Sequence, residues 1–413
     1  MSFIIGAIKI IFVLGFLIFI HEGGHFLVAI LSGVKVKEFS IGFGPKIFSK
    51  DTKHSKFSLR LIPFGGFVDM LGENERKDEK GSFSNAKIWK RILIVVAGAI
   101  VNIVFAIVLY FSLIGLTGNN VSNEISEILP EYSENLQGLQ IGDEIVSIDE
   151  NKVYLKKDIN VILNNLCKDE VIIKVLRDNQ LIDVKVKTSK EIQNFIGIAF
   201  ETEDNIIGYI EPKSPADKIG LEVGDEILEI NNIETKDALS IIEIISENKN
   251  IKLKIKRDNN ILELETKTEE SIYYYLGIKN KLAKENLQNN VYYAYWETIR
   301  FVSSVFGNLK DLFTGSIYIE QMSGPIGISE YIAKTDDVYN FVYLMSLISL
   351  SLGVTNLLPI PALDGGRLVL LIIEWIRKKP INQELEIKIQ TFGFLILMCL
   401  ALYISFNDIM KLF

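Results

Sequence analysis

Apolar and polar positions divide this chain into stretches of two kinds. Four runs are almost wholly apolar, near residues 3–31, 92–116, 339–358 and 392–406. Each is about the length of helix that crosses a bilayer. The first is too long for a cleavable signal peptide. Between the second and third runs the period changes to two. Val171-Ile172-Ile173-Lys174-Val175-Leu176 and Ile251-Lys252-Leu253-Lys254-Ile255-Lys256 both run into Arg-Asp-Asn, at 177–179 and 257–259, and predict β-hairpins. Residues 292–313 mix aromatics with Glu297, Arg300, Lys310 and Asp311. That mixture predicts an amphipathic surface helix, not a further span.

The alternating region is an internal repeat. Gly138-Leu139-Gln140-Ile141-Gly142-Asp143-Glu144-Ile145 recurs as Gly220-Leu221-Glu222-Val223-Gly224-Asp225-Glu226-Ile227, and the hairpins recur at nearly the same spacing. An offset of about eighty residues suits one small domain per copy.

Charge follows the same division. The chain has 413 residues, room for several domains, and a net charge of −8. The acid lies mostly within residues 119–290, whereas Lys35, Lys37, Lys46, Lys50, Lys53, Lys56, Arg60, Lys90 and Arg91 crowd the first inter-span loop. Arg367, Arg377, Lys378, Lys379 and Lys388 form a second basic patch. The positive-inside rule makes both basic loops cytoplasmic, and the acidic middle and both termini extracytoplasmic. No basic patch is interleaved with aromatics, so nucleic acid is not an expected partner. Two cysteines in different regions imply no disulfide framework.

The chemistry sits inside the apolar runs. His21-Glu22-Gly23-Gly24-His25 lies in the first, in a chain with three histidines in all. At i and i+4 on a helix, both imidazoles reach one ion, and Glu22 can act as base toward the attacking water. Ionisable groups at membrane depth also call for a compensating partner such as a divalent cation. Two packed histidines with a capping glutamate are the plainer alternative. A catalytic zinc needs a third protein ligand. The candidate is Asp364, in Asn356-Leu357-Leu358-Pro359-Ile360-Pro361-Ala362-Leu363-Asp364-Gly365-Gly366, between two apolar runs. Irregular backbone at that depth is expected only where it is buried in protein or lines a cavity. A simple interhelical turn, with Asp364 as its capping residue, is the alternative.

Together, His21-Glu22-x-x-His25 and Asn356-x-x-Pro359-x-Pro361-x-Leu363-Asp364-Gly365 resemble the motif pair of the site-2 proteases, intramembrane zinc metalloproteases. The resemblance is to their bacterial RseP-like branch, with two PDZ domains between the second and third membrane helices. Further matching stretches are Gly42-Phe43-Gly44-Pro45, Ile62-Pro63-Phe64-Gly65-Gly66-Phe67-Val68 and Ser323-Gly324-Pro325-Ile326-Gly327-Ile328. Two positions depart from the family: Gly23 replaces a frequent large apolar residue, and Gly98-Ala99 a frequent Gly-Pro. The Gly-Leu-x-x-Gly-Asp strings and Pro212-Lys213-Ser214-Pro215-Ala216 resemble PDZ signatures, and Ile196-Gly197-Ile198-Ala199-Phe200 resembles the loop that captures a peptide carboxylate.

The fold expected is a polytopic α-helical membrane protein of about four transmembrane helices with two inserted α/β PDZ-like domains. Residues 1–118 form a membrane domain with the first span, a cytoplasmic β-loop region and the second span. Residues 119–195 and 196–270 are the two PDZ-like domains, 271–335 a peripheral amphipathic segment, and 336–413 the third and fourth spans. One Zn2+ per chain is expected on His21, His25 and Asp364, with Glu22 as base. The resemblance implies that Asn356 holds substrate or the oxyanion, with helix packing as the alternative. It also implies that a β-loop including Gly65, Gly66 and Phe67 holds substrate as an added strand, with a plain surface hairpin as the alternative. Gly197 and Ile198 are candidate peptide contacts, with a ligand-free folded spacer as the alternative. The expected location is the plasma or inner membrane, with the active site toward the cytoplasm. The resemblance implies single-pass membrane substrates already trimmed by another protease, such as anti-sigma factors or remnant signal peptides. Two rival functions are a non-catalytic PDZ scaffold with a structural metal, and a transporter; the latter lacks the expected inverted membrane repeat.

Overall fold

The structure is a computed structural model. It describes residues 2–73, 75, 77–117, 120–200, 204–258, 260–314, 328–329, 332–333, 335 and 337–411. Residues 323–327 of the last matching stretch lie outside these. The chain divides into two units: Met1–Gly118 with Glu285–Phe413, and Asn119–Lys284.

Long apolar helices dominate the first unit: α1 (Ser2–Leu31) and α2 (Ile88–Thr117). Among the described residues four spans are long and apolar enough to cross a membrane: Ile8–Leu31, Ile88–Thr117, Val338–Asn356 and Gln383–Phe406. Much of their surface is exposed apolar side chain, such as Phe12, Leu27, Val104, Phe394 and Leu402, as lipid-facing helices require. Arg91 of α2 pairs with Glu374 at 2.6 Å, one end of a packed interface.

Two strands join α1 to α2: β1 (Val36–Asp51) and β2 (Lys56–Met70). Residues 38–41 pair with 56–59 on one side and 66–69 on the other, while 56–59 pair also with 48–51. The hairpin therefore doubles back into a small sheet in which 66–70 is an outer strand. Bends need backbone that side chains resist, and Gly42 (φ +84°) and Gly65 (φ +109°) supply it. Gly65-Gly66 is thus a bend within β2; the hairpin's own turn is at Thr52–Ser55, closed by Thr52 N donating to Ser55 O. Glu38 holds the folded sheet together. It accepts from Ser58 Oγ (2.6 Å), Arg60 Nη2 (2.8 Å) and Lys46 Nζ (2.9 Å).

The second unit opens with β3 (Val121–Ile128), β4 (Glu144–Ile148), β5 (Asn151–Lys152), α3 (Lys156–Leu166), β6 (Glu170–Arg177) and β7 (Gln180–Lys187). The second copy follows as β8 (Ser189–Phe195), β9 (Ile198–Phe200), β10 (Ile207–Ile210), α4 (Pro215–Lys218), β11 (Glu226–Ile230), β12 (Ile233–Glu234), α5 (Ala238–Glu247), β13 (Asn250–Arg257) and β14 (Asn260–Lys267). The repeated Asp is the anchor of each copy. Asp143 and Asp225 are almost fully buried, and each takes two 2.7 Å hydrogen bonds from the hairpin arginine, Arg177 or Arg257. Bidentate geometry compensates the buried charge.

The modules are nested, unlike the tandem division at 195/196 and 270/271. After the second copy come β15 (Glu269–Tyr275) and β16 (Ile278–Leu282); β16 pairs with β3, closing the order β16-β3-β4-β6-β7. Tyr274 and Leu276 enter the first core beside Ile125, Ile145 and Ile173. The second core begins at Ile196 and contains Ile207, Ile227, Leu253 and Ile255. So the segment expected to be peripheral from 271 is sheet as far as Leu282, because its apolar residues complete the first copy's core.

The chain then returns to the first unit as α6 (Leu287–Thr314), α7 (Val338–Asn356), α8 (Asp364–Arg377) and α9 (Gln383–Lys411). Phe301, Val302 and Val305 of α6 pack against Ala106, Leu350 and Val354. The expected amphipathic helix is present, packed against spanning helices.

Acid should loosen the hairpin. Burial alone would raise the Glu38 carboxyl, but the hydrogen bonds from Ser58, Lys46 and Arg60 outweigh it and lower it to about 2 from an ordinary 4.5. A carboxyl depressed on folding stabilises above its unfolded value, and that stabilisation fades as pH falls through the folded one. Limited proteolysis of residues 42–60 should therefore be slow above about pH 4.5 and accelerate toward pH 2. Glu38→Gln should be cut readily throughout; a variant as resistant as wild type at neutral pH would remove Glu38 from this role.

Candidate metal centre

Helix α1 has no proline and carries His21 and His25 one turn apart. Both imidazoles are buried and face α2, with their Nε2 atoms 3.2 Å apart. The approach depends on Gly24. A Cβ there would stand 2.7 Å from the Ala97 carbonyl oxygen and 3.0 Å from Gly98 Cα. Gly98 lies under both rings, where any side chain would collide with His21 and His25. At Gly23 a Cβ would meet nothing within 4 Å. The departure from the family at Gly23 therefore faces open space.

Asp364 arrives from the other side. Residues 357–363 leave α7 without continuing it, since Pro359 and Pro361 cannot supply helical N–H donors. Ala362 turns at φ +77°, and Gly365 and Gly366 press against backbone of residues 357–361. As first residue of α8, Asp364 is at a helix N-terminus, and its side chain reaches the histidines. Oδ2 lies 3.2 Å from His21 Nε2 and 3.3 Å from His25 Nε2.

These three atoms fit a metal. Two ligands about 2.0–2.1 Å from zinc at the tetrahedral angle stand about 3.3 Å apart, which matches all three separations. His25 Nδ1 is 2.8 Å from the Ile94 carbonyl oxygen. A carbonyl only accepts, so the proton is on Nδ1 and Nε2 presents a bare lone pair. Asp364 Oδ2 is buried with no hydrogen-bond donor. Lone pairs thus converge on one point, the donor set of an N,N,O zinc site.

The atoms open onto a polar cavity of about 830 Å³ that Glu22, Glu73 and Arg367 also line. Arg367 and Glu73 form an ion pair. The outer strand of the hairpin forms part of the wall through Gly66 and Phe67. A Cβ at Gly66 would stand 2.8 Å from the Ser40 carbonyl oxygen and 3.0 Å from Glu22 Cγ, so glycine lets the strand run close to both.

Other expected residues fall elsewhere. Gly65 is the bend before this strand. Asn356, the last residue of α7, is not among those lining the cavity. Gly197 (φ +82°) and Ile198 belong to the second unit; there the Gly197 carbonyl accepts from Glu211 N at 2.7 Å, and Ile198 pairs with Ile210. No sequence motif marks the support from α2: the Ile94 carbonyl, Gly98 under the rings, and Asn102, whose fully buried amide lies 3.4 Å from His21 Nδ1. One signal was present, since Asn102 is the only amide or charged side chain in residues 92–116.

Four membrane-length helices, an N,N,O donor set and a carboxylate beside it define a membrane-embedded zinc metalloprotease. The comparisons make that specific. The profile of peptidase family M50 matches residues 9–400, and the chain belongs to that family. It is similar to zinc metalloprotease RasP of Bacillus licheniformis, 30% identical over 98% of this chain and 99% of that one. The regulator of sigma-W protease RasP of Bacillus subtilis is 30% identical, and the regulator of sigma E protease of Haemophilus influenzae 26%, each over the full length of both chains. Among solved structures, the HtrA3 PDZ domain bound to a phage-derived ligand matches 21% of this chain and 93% of its own, with 21% identity and a TM-score of 0.20.

The two glycines between the histidines should respond oppositely to alanine. Gly23→Ala should keep activity and raise thermal stability in detergent by up to about 1 kcal/mol, from helix propensity. Gly24→Ala forces α1 from α2, should cost about 1–3 kcal/mol by overpacking, and should weaken zinc retention because the His25 support sits on α2. Equal behaviour of the two variants in melting and zinc content would refute the close-approach argument.

Proposed function

We propose that this metalloprotease hydrolyses peptide bonds inside transmembrane segments, with one zinc on His21, His25 and Asp364 and Glu22 as the proton carrier. The observation carrying the reading is the 3.2–3.3 Å triangle of Nε2, Nε2 and Oδ2 opening onto a cavity that Glu22 shares. Zinc, when bound, supplies Lewis acidity, which makes water a nucleophile near neutral pH and polarises the scissile carbonyl. Glu22 follows His21 by one residue, about 100° round the helix, so its carboxylate approaches from beside the donor set. There it takes the proton from water and returns it to the leaving amine.

A helical substrate must expose its amide first. Strand 66–70 pairs with 36–41 on one edge, and none of the named strands covers its other edge. Its Gly66 and Phe67 line the cavity. An unwound substrate segment adding to that edge exchanges helical hydrogen bonds for strand ones beside Glu22. Asn356 is proposed as a substrate or oxyanion contact on the family motif, since it does not line the cavity.

The substrates we propose are single-pass membrane proteins already shortened by another protease, with membrane-anchored regulators of a sigma factor or remnant signal peptides as the classes to test. The names of two relatives, the regulator of sigma-W protease and the regulator of sigma E protease, support the first class. We place the Asn119–Lys284 unit and both termini outside and the basic hairpin inside, on the charge asymmetry.

Glu22→Gln should keep zinc and the fold and lose turnover by about 10²–10⁴-fold, the usual worth of general-base catalysis. Wild-type and variant enzyme are compared on a purified single-pass substrate in detergent or liposomes. Undiminished cleavage by the variant would remove Glu22 from the role of base and overturn the assignment. For orientation, Cys167 is exposed and free. In a Cys399→Ser background, an impermeant thiol reagent on intact cells should label Cys167, and with Cys167→Ser added it should spare a Lys53→Cys variant; the reverse pattern would invert the topology.

A further inference from the structure

Helix α2 meets the site at three positions one turn apart: Ile94, Gly98 and Asn102. With 3.6 residues per turn these fall on one face, the face opposed to His21 and His25. The first offers its carbonyl to His25 Nδ1, and the second leaves room for both rings. Asn102 is fully buried and stands against the remaining ring nitrogen, His21 Nδ1.

As placed, the amide nitrogen of Asn102 lies 3.4 Å from His21 Nδ1, while its oxygen has no hydrogen-bond partner. An N–H facing Nδ1 would require a lone pair there and so put the ring proton on Nε2, the atom that faces His25 and Asp364. That tautomer cannot hold a metal through Nε2. The two ends of an amide are nearly equal in shape, and chemistry decides between them. Holding the ion through Nε2 needs the proton on Nδ1 and an acceptor facing it.

We infer that Asn102 is a positioning residue that turns its amide oxygen to His21 Nδ1–H, fixing the tautomer and the ring plane in which His21 binds zinc. The inference deepens the proposed function and rests on its ligand set. It makes α2 the outer support of both histidines, through a backbone carbonyl for one and a side-chain carbonyl for the other. The anchor is firm, because Ser349 Oγ of α7 donates to the Asn102 backbone carbonyl at 2.9 Å from a fully buried position. A metal-ligating histidine whose outer nitrogen loses its acceptor typically gives up 10–100-fold in metal affinity.

The test measures zinc dissociation constants of the purified full-length protein, by competition with a chromophoric chelator, for wild type, Asn102→Leu, Asn102→Asp and His21→Ala. Leucine matches the shape of Asn102 without an acceptor, whereas aspartate presents oxygen whichever way it turns. The expected result is a 10–100-fold weakening in Asn102→Leu, with Asn102→Asp holding zinc at least as tightly as wild type. Wild-type affinity in Asn102→Leu overturns the inference, and so does equal weakening in both Asn102 variants, which would mean packing alone. Where Asn102→Leu does not fold, Asn102→Asp decides alone, and a tenfold weakening in it counts against the inference. His21→Ala separates the two levels of argument. If it binds zinc as wild type does, the proposed ligand set fails and the inference with it. If it loses zinc while Asn102→Leu keeps it, only the role of Asn102 fails.

Discussion

Three lone-pair atoms, on His21, His25 and Asp364, stand 3.2–3.3 Å from one another among helices whose other faces are apolar. Such a convergence is repulsive at low dielectric unless a cation sits among the donors, and each donor must be held from outside. Much of the membrane unit follows from that requirement. Helix α1 has to meet α2 without intervening side chains, so Gly24 faces Ala97 and Gly98. The segment before α8 has to break the helix, so that a carboxylate can enter from a helix end and not from a helix side. Two prolines and the tightly packed Gly365 and Gly366 make that break durable. Glycine, elsewhere a liability in a helix, is used here where two backbones or a backbone and a ring must touch.

The hairpin brings a sheet edge to the cavity that Glu22 shares. Such an edge presents backbone donors and acceptors on which a further strand can pair. The folded-back arrangement puts 66–70 on that edge while 36–41 and 56–59 pair on both sides. Glu38 ties the layers from within, with Ser58, Arg60 and Lys46 as its donors. The charges counted in sequence as a basic loop thus include two, Arg60 and Lys46, that are part of the sheet's own support.

What could be read in advance was whatever has a short-range period. An i, i+4 pair fixes two side chains on one helical face whatever surrounds it, so His21 and His25 were legible. Asp364 was legible as a carboxylate between apolar runs, where few innocent roles exist. The repeat set Asp143 and Asp225 at equal positions, but their pairing with Arg177 and Arg257 shows only in three dimensions. Asn102 stood out in its apolar run, yet a buried amide can equally serve a neighbouring backbone, and only a third dimension shows His21 beside it. The packing of α6 was hidden for a related reason. Among membrane helices apolar residues fit lipid and protein alike, so the pattern does not name the neighbour.

The nesting of the two modules was hidden by a different mechanism. Equal strings at a constant offset suggest beads in series, and local pattern says nothing of which strand pairs with which. The clue lay in Leu276-Gly277-Ile278, the counterpart of Ile196-Gly197-Ile198 one repeat earlier. In the second copy, β9 leads directly into its neighbour β10; in the first, the corresponding strand β16 comes after the whole second copy and returns to β3. The outer core stays incomplete until Tyr274 and Leu276 arrive, so the inner module is made and can close first. Pairing β16 with β3 closes a loop of about 150 residues, a cost that grows only logarithmically with length and is smaller still when the intervening segment is already compact. The β8–β15 pair, antiparallel from Ser189 with Tyr275 to Phe195 with Glu269, then clasps the two chain segments where the inner module enters and leaves. Nesting gives the modules two covalent connections where a tandem array has one.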